Sequence, residues 1–257
     1  MAVLMTGATG MLGRELVHDL IVKGQEVKIL ARDIKKAQEL FNGLEVLKGD
    51  VTEDNLGLKD NPRVKAVYHL AALLDLGDNH HDDLWNVNVI GTQNVIKFMK
   101  FYDIPQLYFC STAYTQGKNA YEASKWTCEK EIVTSGIKYV IFKPSIIIGS
   151  PEKPGTAQNI NQVALIIAKV HRKAETARKK VEDTLALPPI ELGFRIRGEP
   201  QATLNLIPVS LVAETIAHLG MGDGAYYITN PHPLPLPDMA SEVGEALGLN
   251  IHIDKEF

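Results

Sequence analysis

Two short stretches carry residues whose types and spacing suit chemistry on a nucleotide-linked reaction. Thr6-Gly7-Ala8-Thr9-Gly10-Met11-Leu12-Gly13 spaces its glycines so that a strand can turn tightly, bring bare backbone against a pyrophosphate and open a helix whose amide dipoles face the phosphates. In that reading Gly7, Thr9 and Gly10 make the turn, and Met11, Leu12 and Gly13 begin the helix. Tyr121-Glu122-Ala123-Ser124-Lys125 places a phenol and an ammonium on one helical face. A free phenol has a pKa near ~10, and a nearby ammonium favours its ionised form, moving it toward proton exchange with a carbonyl or alcohol. Lys125 would also reach a nicotinamide ribose. Ser111-Thr112 ends an apparent strand just upstream, where one hydroxyl can hold a substrate oxygen beside the phenol while hydride passes to or from a nicotinamide. Alone, a Tyr-x-x-x-Lys pair also suits an aromatic packing residue beside a surface lysine; its place after a strand ending in Ser-Thr selects the chemical reading.

These residues need a frame. Ala2 to Met5 reads as a buried strand, Met11 to Lys23 as a helix with Leu12, Leu16, Val17 and Leu20 at helical spacing, and Val27 to Ala31 as the next strand. Helix Ile34 to Phe41, strand Leu44 to Leu47, strand Val64 to Leu70, helix Leu84 to Phe101, strand Gln106 to Cys110, helix Tyr121 to Ser135 and strand Tyr139 to Phe142 follow. Strands alternating with helices demand a parallel sheet covered on both faces, and right-handed crossovers make it a doubly wound α/β sheet of the Rossmann type. Ligands then bind beyond the carboxyl ends of the strands. The expected division is a dinucleotide-binding domain over 1–148 and a smaller, mainly helical substrate-side region over 149–257, partly returning to the core. In that region Val163, Ile166, Ile167, Val170, Ala174, Ala177, Val181 and Leu185 form a stripe that fits one long amphipathic helix over Asn161 to Leu187, or a broken pair, ended by Pro188-Pro189. Helix Val209 to Leu219, strand Ala225 to Thr229 and helix Pro237 to Leu247 complete the order.

The end of the second strand tests the adenosine ribose. A carboxylate there accepts from a free 2′-hydroxyl and repels a 2′-phosphate. Here Arg32 precedes Asp33, and a guanidinium can hold the phosphate bidentately and stack on adenine, so NADP is favoured while NAD stays open. Arg14 can assist. Asp50 and Val51, after the third strand, can bond the adenine amino group and wall its ring.

The ordered motifs resemble the extended short-chain dehydrogenase/reductase superfamily, also described as NAD-dependent epimerases and dehydratases. They are Thr6-Gly7-x-x-Gly10-x-x-Gly13, Gly49-Asp50, His69-Leu70-Ala71-Ala72, Asn88-x-x-Gly91-Thr92, Ser111-Thr112, Tyr121-x-x-x-Lys125 and Lys143-Pro144. Within it, Cys110 to Tyr114, Lys143 to Gly149, Leu204 to Val209 and Tyr227 to Pro231 look most like the thioester reductase and fatty acyl-CoA reductase branch. The resemblance implies that Thr112 is the catalytic hydroxyl, that Ala71, between Leu70 and Ala72, lines the cofactor cleft, and that Pro144 and Ile147 lie beside the nicotinamide. Thr112 and Tyr121 stand closer in sequence than is usual for extended members, which implies a more open pocket.

The expected activity is therefore carbonyl/alcohol interconversion by hydride transfer, with Tyr121 as proton donor, Lys125 as its electrostatic modulator and Thr112 as substrate-oxygen partner. A nucleotide-sugar epimerase or dehydratase with tightly bound NAD is one alternative; a catalytically weak NADP-sensing or scaffold protein is another. At 257 residues, 45% hydrophobic and 23% charged with a formal net charge of −4, the chain can bury a full core and gives no general reason to expect nucleic acid or a membrane surface as partner. Only Cys110 and Cys128 are present, so a disulfide framework is not expected and a reducing cytoplasm is. The partner is a small-molecule substrate. The basic run Lys169, Arg172, Lys173, Arg178, Lys179 and Lys180 reads as a solvated face or as a contact for a phosphorylated substrate arm. His80-His81-Asp82-Asp83 reads as a polar loop rather than a metal site. Trp85 and Trp126 read as packing groups, with a homodimer on their two helices left open.

Overall fold

The computed structural model describes residues 1–74, 81–149, 160–188, 193–220 and 222–256. These divide into two compact units, Met1–Ser145 with Ile207–Thr229, and Ile146–Leu206 with Asn230–Phe257.

The first unit is a seven-stranded, wholly parallel sheet. Its strands are β1 (Ala2–Thr6), β2 (Val27–Ala31), β3 (Glu45–Lys48), β4 (Val64–His69), β5 (Gln106–Cys110), β6 (Lys138–Pro144) and β7 (Gly224–Ile228). Its helices are α1 (Met11–Val22), α2 (Ile34–Leu40), α3 (His81–Trp85), α4 (Gly91–Phe101), α5 (Ala120–Thr134) and α6 (Val209–His218). The spatial order is β7-β6-β5-β4-β1-β2-β3. The chain runs one way from β1 to β3 and the other way from β4 to β6, so right-handed crossovers place the two helix sets on opposite faces. On one face Leu4, Val67, Leu107, Phe109 and Ile141 pack with Val95, Phe98 and Met99 of α4 and Cys128 and Ile132 of α5. The pleat sends Val3, Met5, Tyr68 and Tyr108, all buried, to the other face. Tyr68 and Tyr108 stack there with centroids 4.3 Å apart, and α6 packs against α1. The order reverses between β1 and β4, which makes the crevice beyond their carboxyl ends the expected ligand site.

The helix expected over Leu84 to Phe101 is interrupted. Asn86–Ile90 is a π-helical turn between α3 and α4, in which the Asn88 carbonyl accepts from Thr92 Oγ1 at 2.6 Å and from Cys128 Sγ of α5 at 3.2 Å. Such bulges re-aim a side chain. Here the Asn88 amide accepts from Leu73 N at 2.8 Å and donates to Leu73 O at 3.1 Å and Ser124 Oγ at 3.0 Å.

In the second unit Ile160–Leu185 is one continuous helix, which resolves the choice between a single helix and a broken pair. It ends before Pro188, at Ala186 with φ of 49°. Past residue 168 the apolar stripe is not the covered side: Val170, Ala177, Val181 and Leu185 are exposed, whereas His171, Ala174, Glu175, Arg178 and Glu182 are half-buried. On that half-buried side His171 lies 6.0 Å from the Phe194 ring, and Arg178 pairs within the helix with Glu175 at 2.8 Å and Glu182 at 3.6 Å. Arg178 therefore leaves the basic face, while Lys169, Arg172, Lys173, Lys179 and Lys180 stay exposed. Two strands that the sequence reading missed, Gly193–Arg197 and Asn250–Asp254, pair in parallel. Among the described residues no helix is long and apolar enough to cross a membrane. His80 lies outside the described residues.

Candidate active site

At the carboxyl edge of β1 the chain turns at Gly7, whose φ is +72°, a conformation open to glycine at little cost. A Cβ on Gly7 would stand 2.5 Å from Ala71 N, and one on Gly13 would stand 2.3 Å from Gly7 O. Bare backbone is thus required where the turn meets the end of β4 and where α1 meets the turn. Helix α1 starts at Gly10 with no side-chain cap and no acidic residue in its first turn, leaving amide donors for an anion. The other helices near the site are capped from within: Asp33 accepts from Lys36 N at 3.0 Å on α2, and Asn119 accepts from Glu122 N at 2.8 Å on α5. The uncapped α1 terminus opens on a cleft of about 390 Å³ lined by Thr6, Gly7, Thr9, Gly10, Arg32 and Lys36, and by Asp50, Val51, Leu70, Ala71 and Ala72. Its size, glycine floor and free amides fit a dinucleotide.

The cleft walls are held by buried hydrogen bonds. Asp50 Oδ1 accepts from Thr52 N and Thr52 Oγ1, both at 2.9 Å, which turns Oδ2 toward Arg32 Nε at 3.8 Å. Asn94 Nδ2 donates to Val51 O at 2.9 Å. Thr92 Oγ1 donates to Asn88 O, so at its 3.1 Å contact with His69 Nε2 it must accept. The other ring nitrogen, Nδ1, then accepts from Thr6 Oγ1 at 2.8 Å, and that oxygen in turn accepts from Ala71 N at 3.2 Å. The fully buried His69 ring thereby ties α4 to the Thr6-Ala71 wall, and burial, with the Lys125 charge, pulls its pKa down to about 3.

The second group gathers at the ends of β5 and α5. Lys125, 3% exposed, donates from Nζ to Cys110 O at 2.8 Å and lies 6.0 Å from the Tyr121 ring centroid. The phenol is not lowered by this ammonium: burial first, then the neighbouring thiols Cys110 and Cys128, pushes its pKa upward. The expectation of an ionisation-prone tyrosine is corrected because burial outweighs any help to the charged form, while the Lys125 ammonium is engaged by the β5 carbonyl. Burial pulls the Lys125 pKa down against the opposing pull of Cys110, Cys128 and Glu129. Thr112 is buried, and its Oγ1 accepts from Tyr114 N at 3.2 Å. The neighbouring Ser111 hydroxyl instead donates to Glu129 Oε1, which separates the roles of the two hydroxyls. Pro144 is buried at the end of β6; Ile147 lies in the short strand Ile146–Ile148 of the second unit. Both cysteines are free thiols.

The sequence reading missed Lys36 and Glu129, and named Lys143 within the Lys143-Pro144 motif without giving it a role. Lys36 lies three residues after the Asp33 cap and so faces the cleft from the first turn of α2. Glu129 extends the Tyr121, Lys125 spacing by one further turn, a signal that was legible.

A model of the NAD dependent epimerase/dehydratase family matches residues 3–184. The chain is 24% identical over 254 residues to an NRPS-like oxidoreductase of Fusarium equiseti, covering 84% of this chain but only 23% of that protein. It is 24% identical to a 2-alkyl-3-oxoalkanoate reductase of Stenotrophomonas maltophilia, covering 96% of this chain and 76% of the relative. The crystal structure of Thermus thermophilus UDP-glucose 4-epimerase in complex with NAD superposes with a TM-score of 0.70 at 22% identity, covering 99% of this chain and 86% of that one. With its Rossmann-type sheet and glycine-floored cleft, the chain belongs to the NAD dependent epimerase/dehydratase family, whose members are NAD-binding oxidoreductases and epimerases.

Proposed function

We propose that the chain is an NADP-dependent reductase of small carbonyl compounds, with Thr112, Tyr121 and Lys125 as its catalytic residues. One observation carries the reading: the Lys125 bond to the Cys110 carbonyl at 2.8 Å ties the Tyr121 face of α5 to the end of β5, two residues from Thr112. When bound, reduced nicotinamide supplies the hydride that reaches the carbonyl carbon. Thr112 donates its O–H to the carbonyl oxygen and fixes it, since its bond with Tyr114 uses the oxygen as acceptor. Tyr121, held protonated by burial, gives that oxygen its proton as charge develops there, and is reprotonated from water. Lys125 adds positive charge at the same place.

NADP is favoured by Arg32 and Lys36 together. Asp33, the residue that would repel a 2′-phosphate, has one carboxylate oxygen on the α2 cap, whereas the Arg32 side chain is 76% exposed with only a 3.8 Å contact to Asp50. The similarity to a 2-alkyl-3-oxoalkanoate reductase and to an NRPS-like oxidoreductase supports 3-oxo acids, aldehydes and acyl thioesters as the panel to assay.

The protein should oxidise NADPH in the presence of at least one of these compounds. Arg32→Ala/Lys36→Ala should weaken NADPH binding by about 10- to 100-fold, the loss of one or two charge-assisted hydrogen bonds, and leave NADH binding within about threefold, read by titrating cofactor fluorescence. An inert panel, or stoichiometric NAD released from the denatured protein, would overturn the reductase reading in favour of a scaffold or an epimerase respectively.

A further inference from the structure

One buried network is not used by the chemistry above. Glu129 and Lys143 form an ion pair at 2.8 Å with side chains only 15% and 8% exposed. The other Glu129 oxygen accepts from Ser111 Oγ, and Lys143 Nζ also donates to Thr115 Oγ1 at 3.2 Å and lies over the Tyr227 ring at 5.2 Å. One carboxylate therefore joins three elements, and each contact is adjacent to a site residue. Ser111 precedes Thr112, Glu129 is one helical turn beyond Lys125, and Lys143 precedes Pro144. Beyond the end of β5 the backbone continues along β6, with Ser111 N donating to Phe142 O and Ala113 N to Pro144 O, both at 2.8 Å. The Thr112 segment is thus gripped from β6 by its backbone and from α5 by Ser111.

We propose that the Glu129–Lys143 pair is a positioning element, which sets the Thr112 hydroxyl against the Tyr121–Lys125 face of α5. The inference rests on the reductase reading. Its physical ground is that a buried ion pair is a poor device for stability, since an apolar pair of similar volume does as well, but it is directional. Leucine and methionine in its place would fill the space and leave the end of β5 free to shift. A shift on the order of 1 Å between catalytic groups costs on the order of 10² in rate.

Glu129→Gln/Lys143→Met removes both charges together, so neither is left buried alone, and unfolds cooperatively like the wild type in a thermal melt. With NADPH and the panel compound that the wild type reduces fastest, its kcat should fall by about 10²-fold, while KM and the NADPH dissociation constant stay within about threefold. Hydrogen exchange should rise at least about tenfold in a peptide spanning 110–115, through lost protection of Ser111 and Ala113, and not elsewhere in the sheet. Lys143→Arg, which keeps the charge and the reach, should restore kcat to within about threefold. A folded double variant with kcat within about twofold of wild type, unchanged exchange in that peptide, or a Lys143→Arg variant as slow as the double variant, would each overturn the proposal. Tyr121→Phe separates the two claims. If it is inactive while the double variant turns over normally, only the positioning role fails; if Tyr121→Phe turns over normally, Tyr121 is not the proton donor and the positioning role fails with it; an inert wild type overturns the reductase reading itself.

Discussion

Tyr121→Phe should lower reductive turnover by about 10²- to 10⁴-fold, the usual worth of a positioned general acid, while NADPH binds within about threefold of wild type. The substitution removes one oxygen. The ring remains to fill its site, and the helix around it is held by bonds the phenol does not make: Ser124 Oγ donates to the Tyr121 carbonyl at 2.7 Å, and Asn119 caps the first turn. The cleft that takes the nucleotide is built from β1, β2, β4 and their loops, and no part of that wall rests on the hydroxyl. Steady-state NADPH oxidation and fluorescence titration read the two quantities separately, and a kcat within about fivefold of wild type would remove Tyr121 from its role. A second consequence follows from the direction of its pKa. Burial pushes the phenol above its ordinary ~10, so it stays an acid through the neutral range, and reduction should show no loss of the donor below pH ~10. Oxidation of an alcohol needs the phenolate and should be much slower at neutral pH, unless Lys125 leaves the Cys110 carbonyl.

The legible part of this site is the part whose chemistry is local. Gly7, Gly10 and Gly13 are readable because a turn, an uncapped helix start and a close approach all restrict the residue type within eight positions. The order of strands and helices in the first unit follows from apolar spacing for the same reason, each period being a property of one segment. What the sequence could not show is pairing across the fold. Lys125 is four residues from Tyr121 in the chain, yet it donates to the Cys110 carbonyl on another element, and the burial that raises the phenol is likewise made by the packed fold rather than by its own segment. Ser111 and Thr112 are adjacent hydroxyls of equal promise until Glu129, on a different element, takes one of them. The π-helical turn at Asn88, whose carbonyl is reached by Cys128 from α5, is similarly invisible. In the second unit the apolar stripe of the helix Ile160–Leu185 indicates a helix but not which side is covered: Val170, Ala177, Val181 and Leu185 are exposed while Glu175, Arg178 and Glu182 are half-buried. The strands Gly193–Arg197 and Asn250–Asp254 are as long as Ala2–Thr6 and place Phe194 and Ile196, and Ile251 and Ile253, at alternate positions, a period of two that was legible; their pairing across residues 198–249 was not.

Acid should cost this protein up to roughly 5 kcal/mol of stability through His69 alone. The imidazole is fully buried, and its pKa is pulled from 6.5 to about 3, so the folded state keeps it neutral where the unfolded chain binds a proton. Stability is therefore complete above pH ~6.5 and falls by up to ~1.4 kcal/mol for each pH unit below it, until the folded pKa is reached. Burial first, and then the Lys125 charge, disfavours the imidazolium, and protonating Nδ1 would also end its acceptance of the Thr6 hydroxyl proton. The measurement is a set of urea unfolding curves between pH 7 and pH 4 for the wild type and His69→Gln. The variant offers Thr6 and Thr92 a side-chain amide but cannot titrate. It should be less stable at pH 7 and should lose less stability on acidification, the difference in slope approaching one proton; carboxylates common to both proteins cancel in the comparison. Identical slopes would show that His69 titrates normally in the fold. Because the folded ring stays neutral until the pH nears its folded pKa of about 3, the Thr6 and Ala71 wall of the cleft keeps its hydrogen bonds between pH 6 and pH 4, and His69 should contribute no change in dinucleotide affinity over that range.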